Sequence, residues 1–393
     1  MRYPAASKPT IMTSSNPAPA RLPTLDGLRA IAILLVVPHN LNLIATFSGT
    51  QLVVAALHRG WIGVQLFFVL SGFLITGILL DARDAPDYYR SFFVRRALRI
   101  FPLYYATLLV LLVLLPALGL VPASFKRDAM VELSYWAYFS NWYGPFHQGE
   151  ESVSHFWSLA LEEQFYFLWP FVIHRRSAGW VMRLCLAIAA ASLLLRVVML
   201  LAGVPAQAIY QFLVTRMDAL ALGGAVAAAF RVPSAASWTL DHRGFLLGAS
   251  AISLVAGAVI SRGYYSIDAI TLTLGFTFLA IAFALLVAAG VAADRLGPAE
   301  WLEPLRWSFL RRVAKYSYAM YVLSVPLHFL VGKPALAALG FDAGSSVLVG
   351  FTYIIVGTAL SFLAAAASFH LLEAPFLNLK DRFAPRGKET DSP

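Results

Sequence analysis

Ten apolar stretches run through this chain, each of roughly 18–28 residues, the length a helix needs to cross a bilayer core of about 30 Å. They cover approximately 28–48, 61–80, 100–120, 156–173, 180–202, 210–230, 245–262, 267–293, 315–333 and 345–372. A chain that is 59% hydrophobic and 13% charged, with mean hydropathy +0.71, carries more apolar surface than a soluble domain of this size can bury. The fold expected is therefore an all-α integral membrane protein, a bundle of about ten transmembrane helices around a polar cavity.

The basic residues orient that bundle. Of 30 lysines and arginines, 22 fall in the segments on one side of the ten stretches and 5 in those on the other. By the positive-inside rule the richer side is cytoplasmic, which places both termini there in a multi-pass protein of the cell (inner) membrane. The net charge of +9 is then anchoring charge and not a nucleic-acid footprint. Residues 1–25, rich in Pro, Ala and Ser, read as a disordered cytoplasmic tail, with no short apolar core or small-residue cleavage site of a signal peptide. Residues 26–376 form the transmembrane domain and 377–393 a second cytoplasmic tail, with no room for a further catalytic module after the last stretch. The single cysteine, Cys185, excludes an internal disulfide and a cysteine-cluster metal site, and no metal is expected. The longest outside segment, 121–155, is aromatic and suits the membrane interface, with space for a short helix.

Ionisable residues within such stretches are costly, roughly 2.5–3.5 kcal/mol for a central Arg, and tend to mark function. His39 lies near the middle of the stretch Leu28–Ser48, with Arg29 near its start. At 1.5 Å per residue the two are about 15 Å apart along the axis. A neutral imidazole there can take a proton from a hydroxyl, the bland alternative being a histidine bonded to a neighbouring helix. Pro38 bends the helix and can re-aim it. Arg95, Arg96 and Arg99 stand where a stretch leaves the cytoplasm, and both 95 and 96 share a helix face with 99. They suit phosphate binding and plain anchoring equally. Glu162 and Glu163 enter an aromatic stretch two turns from its outer end, about 100° apart, so the two differ in role. Ser158 and Tyr166 flank Glu162 at i−4 and i+4, and Arg196 or Arg216 is a possible ion-pair partner. Arg216 and Asp218 each need a partner outside their own helix, for bracing or for acceptor hydroxyls. Gly63, Ser71, Gly72, Gly223 and Gly224 read as close helix contacts.

Taken together, these blocks resemble the acyltransferase-3 family of multi-pass membrane proteins. The resemblance rests on Leu25–His39, Gly63–Ile75, Phe93–Pro102, Phe156–Pro170, Arg216–Gly223, Ser317-Tyr-Ala-Met-Tyr321 and Leu372-Glu-Ala-Pro-Phe376, seven stretches in order over nearly the whole chain. It implies transfer of an acyl group, usually acetyl, from cytoplasmic acyl-CoA to a hydroxyl of a carbohydrate or lipid-linked glycan at or beyond the membrane. Acyl-CoA would be a co-substrate and not a resident cofactor. By the same resemblance His39 is the catalytic histidine, Arg96 and Arg99 engage the CoA with Arg29 beside them, and Glu162 and Glu163 are the acidic pair. Two departures stand out. Relatives often space the first Arg and the His eleven apart, where this chain has ten and Asn40 in the eleventh place. Relatives also often carry a His where Ser324 stands, with His328 one turn on.

The sequence reading is thus a membrane O-acyltransferase with His39, Glu162 and Glu163 as catalytic residues, Arg29, Arg96 and Arg99 for the donor, and Arg216 and Asp218 for the acceptor. A multi-pass glycan or lipid transporter or flippase is the alternative from another class, although no inverted repeat is visible. The acceptor stays open among polysaccharide, lipopolysaccharide, a lipid-linked oligosaccharide and a small hydroxylated molecule.

Overall fold

The computed structural model describes residues 22–41, 51–120, 128–147, 151–297, 300–341 and 347–383, and they are all-helical. Most of the expected amino-terminal tail, residues 42–48 of the first stretch and the last ten residues lie outside the described residues. Among the described residues ten helices exceed sixteen residues, one for each expected stretch. They are α1 (Pro23–Asn40), α2 (Ile62–Asp81), α3 (Tyr88–Leu108), α4 (Trp157–Ile173), α5 (Ala178–Leu201), α6 (Leu213–Ala229), α7 (Arg243–Ile260), α8 (Phe276–Leu296), α9 (Ser308–Leu327) and α10 (Val347–Ser368).

Eight of these helices, some extended by adjoining turns, are long and apolar enough to cross a membrane, against the ten expected. The two that fall short are α4 and α1. α4 has 17 residues and carries both glutamates. α1 has 18 and includes Asp26, Arg29, His39 and Asn40. No residue of α1 is exposed, whereas α4 leaves Phe167, Leu168, Phe171 and Val172 on the outer surface.

Three boundaries differ from the sequence reading. α1 starts at Pro23, inside the expected tail, because proline suits the first helical turn and Asp294 caps Thr24 through its N–H (3.1 Å) and hydroxyl (2.7 Å). It closes at Asn40, so His39 occupies the last turn and not the middle of a span. α3 starts at Tyr88, twelve residues before the apolar stretch, so its arginines sit inside the helix and not at its entry. Hydropathy trims a helix whose polar residues face inward.

Close packing of small residues builds the centre. An added Cβ on Gly72 would overlap the Leu220 carbonyl, and one on Gly223 the Val69 carbonyl, so α2 and α6 cross backbone to backbone. Gly63 meets the Ala32 carbonyl of α1 in the same way. The described part of the aromatic segment 121–155 packs on the bundle. Its short helix Ala129–Trp136 is tied to α3 by the Tyr104 hydroxyl, which donates to the Tyr135 carbonyl at 2.7 Å. Gln164 of α4 bonds Tyr138 O (2.7 Å), Asn141 Oδ1 (2.7 Å) and the Trp142 indole N–H (3.0 Å).

Candidate active site

A cavity of about 290 Å³ opens where α1, α2, α3, α4 and α9 meet. Its charged lining consists of Arg29, Arg96, Arg99, Glu162 and Glu163, with Ser71, Tyr166, Ser158, Tyr318 and Tyr321 among the other polar groups. Along α2 it runs from Val64 to Ile78, about 21 Å at 1.5 Å per residue. Ser158, Tyr321 and Val64 define one end, and Arg96, Tyr166 and Ile78 the other.

α3 presents Arg96 and Arg99 to the cavity and turns Arg95 away, which decides between the two faces the spacing allowed. Arg96 lies over the Tyr166 ring, 5.4 Å from its centroid. The Tyr166 hydroxyl donates to Glu162 Oε2 at 3.2 Å and takes a hydrogen bond from Ser71. The i, i+4 stripe expected around Glu162 therefore forms on the Tyr166 side. On the other side, Ser158 bonds the Tyr321 hydroxyl at 2.5 Å instead. Glu163 also lines the cavity and accepts no hydrogen bond among the described residues. Arg29 leans on Asp26 at 3.8 Å.

His39 lies off this wall. Its Nδ1 faces the Leu57 carbonyl at 3.1 Å, and a carbonyl only accepts, so Nδ1 carries a proton, and among the described residues Nε2 has no hydrogen-bond partner. The His39 side chain packs on Gly60, about one turn before Val64, so it stands just past the Ser158–Tyr321 end of the cavity.

Arg216 and Asp218 are also off the wall, and both are 0% exposed. Asp218 pairs with Arg196 at 2.8 Å, and Arg196 further donates to Thr215 O (2.5 Å) and Thr277 Oγ1 (2.6 Å). Neither glutamate of α4 takes these arginines as a partner. Arg216 donates to Gln65 Oε1 at 2.7 Å and stacks 3.9 Å from the centroid of Phe276. Ser324 and His328 line a second, apolar cavity of about 470 Å³ between α9 and α10, where His328 Nδ1 meets the Tyr353 hydroxyl at 2.6 Å.

The sequence reading took Ser71 for a close helix contact and gave no role to Ser317, Tyr318 or Tyr321. Tyr318 and Tyr321 lie three apart in a motif already singled out, and that spacing puts both on one helix face.

Residues 22–366 match the family described as acyltransferase domain, and the chain belongs to that family. It is 30% identical over 383 residues to YrhL of Bacillus subtilis, covering 90% of this chain and 54% of that protein. It is 26% identical over 381 residues to the peptidoglycan O-acetyltransferase OatA of Listeria monocytogenes, covering 90% and 55%. It is 28% identical over 380 residues to the O-acetyltransferase OatA of Staphylococcus aureus, covering 91% and 57%. The chain thus spans about half the length of these relatives. No solved structure matches it.

Proposed function

We propose that this protein is a membrane O-acyltransferase that carries an acetyl group from cytoplasmic acetyl-CoA to a hydroxyl of a cell-envelope glycan. The observation that carries this reading is one cavity lined by three arginines and two glutamates. Guanidinium forks bind phosphate in bidentate fashion, so Arg96 and Arg99, with Arg29 beside them, suit the phosphates of CoA. The pantetheine arm then lies along the cavity, with the thioester toward Ser158 and Tyr321. At that end His39 Nε2 takes the proton of the acceptor hydroxyl. The oxygen attacks the thioester carbonyl carbon, the C–S bond breaks, and the CoA thiolate leaves and is protonated. Glu163, which accepts no hydrogen bond among the described residues, faces the acceptor hydroxyl, and Glu162 is the carboxylate fixed by Tyr166. In this reading Asp218 braces the bundle through Arg196, while Arg216 holds Gln65 through one nitrogen and has no hydrogen-bond partner on Nε or Nη1 among the described residues.

Relatives named for O-acetylation of peptidoglycan support a glycan acceptor. The distribution of Lys and Arg supports cytoplasmic termini in the inner membrane. The test is turnover of labelled acetyl-CoA by purified protein in nanodiscs with peptidoglycan fragments or lipid-linked glycan outside. The expected result is labelled glycan with equimolar release of CoA. Movement of glycan across the bilayer without acetylation supports the transporter reading instead.

A further inference from the structure

The short helix Ala129–Trp136 ends in an arrangement that normally calls for glycine. Phe139 N–H bonds the Ser134 carbonyl at 2.6 Å, and Tyr138 N–H bonds the Tyr135 carbonyl at 3.2 Å. These are the two hydrogen bonds of a Schellman helix end, which places its C′ residue in the left-handed region. Here that residue is Tyr138, with φ of 53°. A bulky side chain there is strained by roughly 1–2 kcal/mol, where glycine carries no such strain. The ring is nevertheless 9% exposed, stacked on Tyr104 at 4.2 Å and 21°. Its backbone is clamped by Gln164, whose amide donates to the Tyr138 carbonyl at 2.7 Å.

The hydroxyl so placed has no hydrogen-bond partner among the described residues, although it is buried. Its electrostatic neighbours are Glu163 and Tyr318, both on the cavity wall. Glu163 in turn accepts no hydrogen bond among the described residues. A phenol without an acceptor therefore stands beside a carboxylate without a donor. Arg96 also acts on Glu163, and Tyr104, five residues past Arg99 on α3, is the residue on which Tyr138 stacks.

We propose that Tyr138 is a positioning residue for the acyl acceptor. When an acceptor hydroxyl hydrogen-bonds one oxygen of the Glu163 carboxylate, the Tyr138 hydroxyl donates to the other and fixes the carboxylate's orientation. The inference rests on the acyl-transfer reading above.

The test is Tyr138→Phe, which keeps the stacked ring and removes only the hydroxyl. The account predicts a rise in acceptor KM of about tenfold or more, the factor for one hydrogen bond to a charged group. The acetyl-CoA KM stays the same. Tm stays the same or rises, because an unpartnered buried hydroxyl contributes nothing to folding. In a Glu163→Gln background the same substitution adds no further loss. An unchanged acceptor KM in an active protein overturns the inference, as does a fall in Tm or an additive effect in the double variant. Absence of any acetyl transfer by the wild type overturns the acyl-transfer reading instead, so the two failures are distinct.

Discussion

Tyr166 donates a hydrogen bond to Glu162 from one turn further along the same helix, at 3.2 Å, while Arg96 lies over its ring. Glu162 is thereby fixed on the cavity wall, and its neighbour Glu163 is not. The two carboxylates should fail differently. Glu162→Gln, which weakens a buried network, should lower stability by roughly 1–3 kcal/mol in thermal unfolding. Glu163→Gln should leave unfolding nearly unchanged and reduce kcat/KM for the acceptor by about 10² or more. Equal, purely catalytic losses from both variants would contradict the assignment.

Arg96 and Arg99 face the cavity and Arg95 does not, which provides an internal control. Arg99→Ala should raise the KM for acetyl-CoA by the equivalent of roughly 1.5–3 kcal/mol, with the acceptor KM unaltered. Arg95→Ala, which removes a charge of the same kind from the same helix, should have no such effect. An unaltered acetyl-CoA KM in folded Arg99→Ala protein would return the arginines to membrane anchoring.

Arg196 and Asp218 form an ion pair with neither side chain exposed. Asp218→Asn should destabilise the protein by about 3–5 kcal/mol, because it leaves a guanidinium buried without its counter-charge. Arg196→Met with Asp218→Leu should recover most of that loss. The check is Tm in detergent for the single and double variants. If Asp218→Asn keeps wild-type Tm and loses only activity, the pair belongs to the acceptor site and not to the frame.

Hydropathy made the order of the long helices legible, although eight of them, not ten, are long and apolar enough to cross a membrane among the described residues. The site was legible as residue types but not as a set of neighbours. Arg96, Arg99, Glu162 and Glu163 stand out because charge is costly in an apolar span, and all four share one cavity. Tyr166 was legible beside Glu162 from the helical spacing, but the links Ser71–Tyr166 and Ser158–Tyr321 were hidden because they join helices far apart in sequence. The misplaced start of α3 has the same origin, since Arg96 and Arg99 face a cavity that a hydropathy average cannot register. The end of α1 is a third case, where the polar run His39–Asn40 closes a helix that apolar length alone would extend. Tyr138 carried no signal beyond its aromatic surroundings, because a left-handed tyrosine becomes visible only once the backbone is known.

The central claim is that His39 accepts a proton through Nε2, with Nδ1–H bound to the Leu57 carbonyl. The most direct measurement is kcat for His39→Asn in nanodiscs at saturating acetyl-CoA and acceptor. The asparagine amide can still donate to that carbonyl but cannot take a proton near neutral pH. The account predicts a fall in kcat of about 10²–10⁴ with Tm and acetyl-CoA affinity unchanged. Wild-type turnover by His39→Asn would make His39 structural and contradict the mechanism.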